Sequence, residues 1–295
     1  MHPPPYPRRV LVHPTLRARL AAPLLALVVL SGCAGPVEQG STQEPAAPAS
    51  AAPAEVTAMS PGSGGVAGGA EVVLTGMGLD AVRAVEVDGV RVEPLRRAPT
   101  EVAFTLPPAE DFKADEVTVA LVDAEGATVA EREFAYEVES GLDKQLRYVL
   151  KYWKNYNPKY QRLGDTDCVN FTSQAMLRRG WEQQGTWTHA EDVLDAGPAW
   201  RSSTAMRDFL LQHPELATPL TDDERDRVKL GDIVQFDWDR SGDRDHTGVV
   251  TRVEQTADGV KIAYAGHTKD SDYRDVDVSI TKDHPGGTAH YWSVK

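Results

Sequence analysis

Cysteine is scarce in this chain, since its 295 residues include only Cys33 and Cys168. Two cysteines exclude the Cys-rich zinc sites, which need three or four thiolates. If Cys33 is consumed by a modification, Cys168 has no disulfide partner within the chain. Cys168 is then either a small buried hydrophobe or a nucleophile, and the residues around it, GDTDCVNFTSQAM at 164–176, pose that choice.

Basic residues are also under-represented, with 31 Lys and Arg against 44 Asp and Glu and a formal net charge of −13 at pH 7. Residues 1–32 carry four Arg and no acidic residue, so the remainder has 27 basic and 44 acidic residues, a net charge of −17. An acidic chain of this kind is a poor candidate for binding nucleic acid or anionic lipid head groups. We therefore expect no nucleic-acid partner.

The N-terminus lacks an apolar run long enough to span a bilayer. Four Arg precede LAAPLLALVVL at 20–30, which is the pattern of an export signal. The sequence Leu30-Ser31-Gly32-Cys33 that follows resembles the lipobox of bacterial lipoproteins, which implies cleavage after residue 32 and a lipid on Cys33. Residues 33–54 are rich in Pro, Ala and Ser and predict a disordered stalk. The expected location is extracytoplasmic, with the chain anchored to the membrane by the lipid.

Short β-branched runs separated by turn residues occupy 55–139 and predict a small all-β sandwich. The runs are EVVLT (71–75), AVEV (84–87), EVTVALV (116–122) and EFAYEV (133–138). The stretch SPGSGGVAGGAEVVLTGMGLDAVRAVEVDGVRV at 60–92 resembles the IPT/TIG type of immunoglobulin-like domain. No residue pair in this region indicates catalysis, so the expected role is spacing or binding.

Residues 140–295 change to helices followed by strands, which predicts an α+β domain. Helices are expected from Leu142 to Asn157-Pro158, from Thr166-Asp167 to Gly180, and at 203–212. Strands are expected at 232–238, 247–253, 260–265 and 289–294.

Cys168 falls in the first turn of the second predicted helix, where unpaired N–H groups and the helix dipole favour a thiolate and lower its pKa. Asp167 beside it opposes a second negative charge, but it can cap the helix or accept bonds from nearby backbone N–H groups. His246 and His267 lie at the start of one predicted strand and the end of the next. If these strands pair as a hairpin, both imidazoles lie at the same end of the sheet, which could face the Cys168 helix.

Three separated motifs resemble the bacterial putative amidase domain, a branch of papain-like cysteine amidohydrolases related to the CHAP and cell-wall peptidase groups. They are YNPKYQRLGDTDCVNFTSQAM (156–176), KLGDIVQFDWDRSGDRDHTGVVTRV (229–253) and AYAGHTKDSD (263–272). The resemblance implies a papain-like fold for 140–295, with Cys168 as the nucleophile, His246 as the base and His267 as the third member. It also implies an amide substrate, for which the expected location favours cell-wall peptides.

Other site residues and roles stay open at this stage. The papain signature around the cysteine is missing, so the oxyanion hole would use the Cys168 N–H, with Gln161 or the region of Asp165. Gln161, Asp167 and Asp245 are the remaining substrate or oxyanion candidates, and Asp245 and Asp270 are substitutes for His267.

Three alternatives remain. The loop at 237–245 has the D-x-D-x-S-G spacing of a calcium loop, but Gly248 replaces the bidentate Glu and two Arg compete for the carboxylates, so we expect no metal or other cofactor. A catalytically silent wall-binding or scaffolding lipoprotein is the main rival to an enzyme. A metal-dependent hydrolase is the second.

Overall fold

A computed structural model describes residues 54–295 of the chain. The predicted signal peptide at 1–32, the lipidation site Cys33 and nearly all of the stalk predicted at 33–54 lie outside the described residues. Within 54–295, no helix combines the length and the apolar character needed to cross a membrane.

The described residues form fifteen strands and four helices of four residues or more. The strands are β1 (Glu55–Ser60), β2 (Ser63–Gly65), β3 (Glu71–Met77), β4 (Ala84–Val87), β5 (Val90–Val92), β6 (Arg96–Ala98), β7 (Glu101–Thr105), β8 (Glu116–Val122), β9 (Thr128–Glu137), β10 (Ala217–Leu220), β11 (Ile233–Asp237), β12 (His246–Thr256), β13 (Gly259–Gly266), β14 (Ser271–Asp275) and β15 (Thr288–Val294). The helices are α1 (Gly141–Tyr152), α2 (Cys168–Arg179), α3 (Pro198–Arg201) and α4 (Ser203–Gln212).

The N-terminal part is β-rich, as expected. One sheet has the order β1-β3-β7-β6 and the other the order β2-β9-β8-β4-β5. Side chains of both sheets, among them Leu74, Phe104, Leu121 and Phe134, are fully or almost fully buried in one cluster. Strands β1 and β7 were missed by sequence reasoning, because neither carries a long β-branched run.

The C-terminal part is an α+β arrangement, which confirms the fold class at that level. Its six-stranded antiparallel sheet has the order β10-β15-β11-β12-β13-β14. Helices α1, α2 and α4 pack on one face, and a second apolar cluster that includes Phe236 and Tyr264 covers the other. The second and third predicted helices agree closely with α2 and α4. The first ends at Tyr152 rather than Asn157, and the turn at Asn157, whose Oδ1 accepts from Lys159 N, lies outside the helix.

Helix α1 joins the two parts through Asp143. Its carboxylate accepts from Ser140 N at the helix start and also from Ala67 N of the sandwich, at 2.7 and 2.8 Å. The carboxylate fits against the backbone at Gly65, where a Cβ would lie 2.9 Å from its oxygens. Leu146 continues the contact, since it is buried in the apolar cluster of the sandwich. The capping bond and the buried leucine together fix α1, and with it the neighbouring α2.

Candidate active site

Cys168 is the first residue of α2 and is nearly buried, with 5% of its surface exposed. Its Sγ lies 3.7 Å from Ser203 Oγ, at the start of α4. The backbone N–H groups of Val169 and Thr247 are also directed at the sulfur. The Val169 N–H belongs to the first turn of the helix, where backbone donors have no partner within the helix.

Burial raises the pKa of the Cys168 thiol above its usual value of 9.0. The Ser203 hydroxyl and the two backbone N–H groups act in the opposite direction, and the neighbouring Asp167 carboxylate adds to the increase. The expectation that the helix start lowers this pKa is therefore wrong for the arrangement in the structure. The reason is that desolvation of the charged form outweighs the N–H groups and the helix dipole.

A chain of hydrogen bonds runs from Ser203 into the sheet. Thr247 Oγ1 donates to Ser203 Oγ at 2.9 Å, and Gln235 Nε2 donates to Ser203 O at 2.8 Å. Gln235 Oε1 in turn accepts from Trp292 Nε1 at 2.8 Å. Sequence reasoning missed Ser203, Gln235 and Trp292. Gln235 lies within the second family motif, but neither that motif nor the predicted helices and strands show that these residues lie beside the thiol.

Asp167 and His267 form a buried pair directly beside Cys168. The distance from His267 Nδ1 to Asp167 Oδ2 is 2.5 Å, and that from His267 Nε2 to Tyr152 O is 2.9 Å. The two ring nitrogens are thus both engaged, one by the Asp167 carboxyl group and the other by a backbone carbonyl. Both side chains are at most 2% exposed.

The pair also organises the start of α2. Asp167 Oδ1 accepts from Leu163 N at 2.6 Å and from Asn170 Nδ2 at 2.8 Å. The imidazole of His267 lies between the rings of Phe171 and Tyr156, each with a centroid distance of 3.9 Å. Asp167 occupies the N-cap position but its side chain makes no capping bond. It instead links the turn before the helix to the strand end that carries His267.

His246 and His267 lie at the same end of the sheet, because β12 and β13 pair antiparallel and His267 directly follows β13. Their side chains project from opposite faces of the sheet. His246 contacts the rings of Phe236, Trp238 and Tyr264, whereas the neighbouring Thr247 points towards Ser203 and Cys168. Alternation of side chains along a strand explains the separation. Within residues 54–295, no hydrogen bond joins Cys168 to either imidazole.

Burial lowers the pKa of His246 to about 3, with smaller contributions from Arg274, His284 and Lys269. The imidazole is therefore neutral at pH 7. It lines a small cavity of about 150 Å³ together with Asp245, Lys269 and Arg274. The Asp245 carboxylate accepts from Trp238 N, and Asp270, the other substitute for the third role, accepts from Tyr156 OH.

A larger cavity of about 600 Å³ lies beside the start of α2. It is lined by the turn before the helix, including Gln161 and Thr166, and by Arg201 and Ser202. Ser202 directly precedes Ser203, whose hydroxyl contacts the Cys168 sulfur. Gln161 Oε1 is engaged as the acceptor of Val193 N at 2.9 Å. The Nε of Arg201 is buried and has no hydrogen-bond partner among the described residues.

Four carboxylates of the 237–245 loop come together. One oxygen from each of Asp237, Asp239, Asp243 and Asp245 lies within 4.8 Å of the others. Asp237 accepts from the N–H groups of Ser241 and Gly242, and Arg244 lies 3.8 Å from it. The loop thus satisfies the buried carboxylate with its own backbone.

Relatives and solved structures resemble different parts of the chain. The "Uncharacterized protein YjcM" of Bacillus subtilis (strain 168) is 29% identical over 113 residues, which are 36% of this chain and 26% of that protein. The chain thus spans about a quarter of that relative. Among solved structures, the plexin A4 extracellular region aligns with 28% of this chain and 8% of its own at 23% identity and a TM-score of 0.23.

Two further structures come from Bacteroides. An auxiliary nutrient binding protein of Bacteroides thetaiotaomicron VPI-5482 aligns with 29% of this chain and 21% of its own, at 20% identity and a TM-score of 0.22. A mixed-linkage glucan utilization protein, SGBP-B of Bacteroides ovatus, aligns with 79% of this chain and 51% of its own, at 11% identity and a TM-score of 0.22.

The family match concerns the C-terminal part. A family model described as "Putative amidase domain" matches residues 141–291, about half of the chain. This range contains Cys168, Asp167, His246 and His267, as well as both cavities described above. The chain belongs to the putative amidase domain family.

Proposed function

We propose that this protein is a papain-like cysteine amidohydrolase in which Cys168 attacks an amide carbonyl. Membership of the amidase family supports amide hydrolysis in general. The observation that carries the cysteine mechanism is the position of Cys168 at the first turn of α2, with the N–H groups of Val169 and Thr247 directed at its sulfur. Donors placed in this way stabilise a thiolate and can also bind an oxyanion close to it.

The proposed reaction has two steps. The Cys168 sulfur forms a bond to the carbonyl carbon, the carbon–nitrogen bond breaks, and the amine leaves with the proton that the base took from the thiol. Water then attacks the thioester, which releases the carboxylic acid and returns a proton to the sulfur. Transfer of the acyl group to an amine instead of water follows the same first step.

His246 is the base in this proposal. Its imidazole is neutral at pH 7, but burial lowers its pKa to about 3, so it becomes an effective base only after it leaves its apolar surroundings. It directly precedes Thr247, whose N–H faces the sulfur, so the two groups are attached close together at one end of the sheet. For His246 to take the thiol proton, the Cys168 side chain must move away from Ser203. The His246 imidazole must also rotate away from its neighbouring aromatic rings towards the end of the sheet. His267, held by Asp167 and Tyr152, positions the start of α2.

The substrate and the location in the proposal come from the sequence. A lipid on Cys33 places the enzyme outside the cytoplasm, on the membrane, where peptides of the cell wall are the available amides. The β-rich region then acts as an IPT/TIG-like spacer between the stalk and the enzyme. The cavity beside α2, with Arg201 in its wall, is the proposed binding site for the acyl part of the substrate.

The experiment is incubation of the mature chain with purified peptidoglycan and with peptide libraries, followed by mass spectrometry. The proposal predicts a new primary amine in the product and an acyl adduct on Cys168. Cys168→Ala should abolish both, and Ser241→Ala, in the exposed loop, is the matched control that should leave them unchanged. Full activity of Cys168→Ala would contradict the cysteine mechanism and favour a metal-dependent hydrolase.

A second candidate function is a silent wall-binding or scaffolding lipoprotein. The observation in its favour is the buried thiol, whose pKa is raised by desolvation. In that case the mature chain sediments with insoluble peptidoglycan and releases no product, and Cys168→Ala binds as well as the native chain.

A further inference from the structure

A groove of about 650 Å³ lies where α1 meets the sandwich. Its floor is apolar and includes Phe112, Leu150 and Leu177. Its rim carries five cationic side chains: Lys113, Lys144, Arg147, Lys151 and Arg178. Only two carboxylates, Asp111 and Asp272, line it. This excess of positive charge is local, because the whole chain has a net charge of −13.

Four of the five cations of the groove lack carboxylate partners among the described residues. Lys113 pairs with Asp111 at 3.1 Å, but in the described range 54–295 none of the other four forms an ion pair. Arg178 lies over the Tyr148 ring at 5.5 Å and Lys151 over the Tyr152 ring at 5.2 Å. The aromatic contacts hold both charges at the groove without neutralising them.

The spacing of the cations is regular. Lys144, Arg147 and Lys151 stand at i, i+3 and i+7 on the exposed side of α1, while the opposite side is buried. At 1.5 Å per residue, they follow one another at about 4.5 and 6 Å along the helix axis. A ligand that matches such a row carries several negative groups in sequence. A single small anion would meet only one or two of them.

We propose that this groove binds an anionic polymer, a chain with repeated phosphate or carboxylate groups. The acidic remainder of the surface repels polyanions, so the attraction acts at short range and only along the groove. The site is separate from Cys168 and does not depend on the proposed hydrolysis. Its function is to hold the protein on such a polymer.

The test measures binding of two fluorescent probes, inorganic polyphosphate and poly-glutamate, to the full chain by anisotropy at low and high salt. Binding to either probe supports the site, and the two arms tell phosphate from carboxylate. Lys144→Glu/Arg147→Glu/Lys151→Glu should weaken binding about tenfold or more and flatten its salt dependence, because counterion release scales with the charges neutralised.

The matched control is Arg132→Glu/Lys261→Glu/Lys282→Glu, which changes the net charge equally at three exposed positions away from the groove. It should bind nearly as the native chain does. Equal loss in both variants would mean that the whole surface, rather than the groove, attracts the probe, and would overturn the proposal. Absence of binding to both probes, or unchanged binding by the groove variant, would overturn it as well. Circular dichroism spectra confirm that both variants are folded.

Discussion

The carboxylate of Asp167 and the imidazole of His267 meet at 2.5 Å, although they are 100 residues apart in sequence. The contact joins the turn before α2 to the end of β13, next to Cys168. From the sequence, Asp167 is an obstacle to a thiolate and His267 a candidate for orienting the base. The structure instead pairs them with each other. Their pairing fixes the position of the α2 start against the sheet.

Asp167→Asn tests this pair. The substitution keeps the size of the side chain but replaces one carboxyl oxygen with an amide nitrogen, which leaves a buried hydrogen-bond partner unsatisfied at a cost of about 1–3 kcal/mol. We expect a loss of that order in the free energy of unfolding in urea. Asp165→Asn, at an exposed position two residues earlier, is the control and should change it by less than about 0.5 kcal/mol. Equal stability of Asp167→Asn and the native chain would show that the pair contributes nothing.

His246 should make the stability depend on pH. Its pKa is about 3 in the folded chain and about 6.5 when unfolded. Between these values the unfolded state binds a proton that the folded state does not. The contribution of His246 to the free energy of unfolding is therefore fully present above pH 6.5. As the pH falls below that value, the free energy of unfolding decreases by about 1.4 kcal/mol per pH unit.

Urea denaturation at several pH values between 4 and 8 measures this slope. His246→Asn removes the titrating group, so its unfolding free energy should fall less steeply below pH 6.5 than that of the native chain. Parallel pH curves for the two proteins would show that His246 is protonated normally in the folded state.

Cys168 should react slowly with iodoacetamide in the absence of substrate. The thiol is 5% exposed and its pKa is raised, so little thiolate is available at pH 7.5. In a Cys33→Ser variant, where Cys168 is the only cysteine, we expect alkylation to be at least about tenfold slower than in 6 M guanidinium chloride, because reactivity follows exposure and thiolate content. Native and denatured rates that agree would contradict the buried arrangement.

Asp143→Ala should weaken the connection between the sandwich and α1. The carboxylate is 1% exposed and bonds both the helix start and Ala67 N, so its loss leaves buried donors unsatisfied. Removal of a helix-capping side chain or of one partner of a buried hydrogen bond destabilises proteins by about 1–3 kcal/mol, and we expect a decrease of that size in the free energy of unfolding. Glu139→Ala, at an exposed position four residues earlier, is the control. Hydrogen exchange at the Ala67 and Ser140 amides should rise in Asp143→Ala only.

Arg201 should select among substrates if the cavity beside α2 holds the acyl group. Its guanidinium group is a cation in the cavity lining and favours a substrate with a carboxylate. For peptides that differ only in one carboxylate or carboxamide, Arg201→Met should raise the KM of the acidic peptide by about tenfold or more and leave that of the amide nearly unchanged, as expected when one charged hydrogen bond is lost. Equal changes in both KM values would argue against a role in recognition.

The sequence by itself determined the order of elements and the family. Hydrophobic periodicity and punctuation by Gly and Pro place α2, α4 and most strands of the C-terminal sheet close to their observed bounds, because these patterns reflect which face of each element is buried. The three motifs around Cys168, His246 and His267 identified the amidase domain. They also placed both histidines at the same end of a hairpin.

Only the tertiary structure decided which side chains meet. His246 and His267 leave opposite faces of the sheet, because the pairing of β12 with β13 and the bulge between Val250 and Arg252 set the register, and these depend on long-range contacts. The same contacts bury Cys168 beside Ser203, so that desolvation outweighs the effect of the helix start on its pKa. Position along the chain predicts neither register nor burial, whereas packing fixes both.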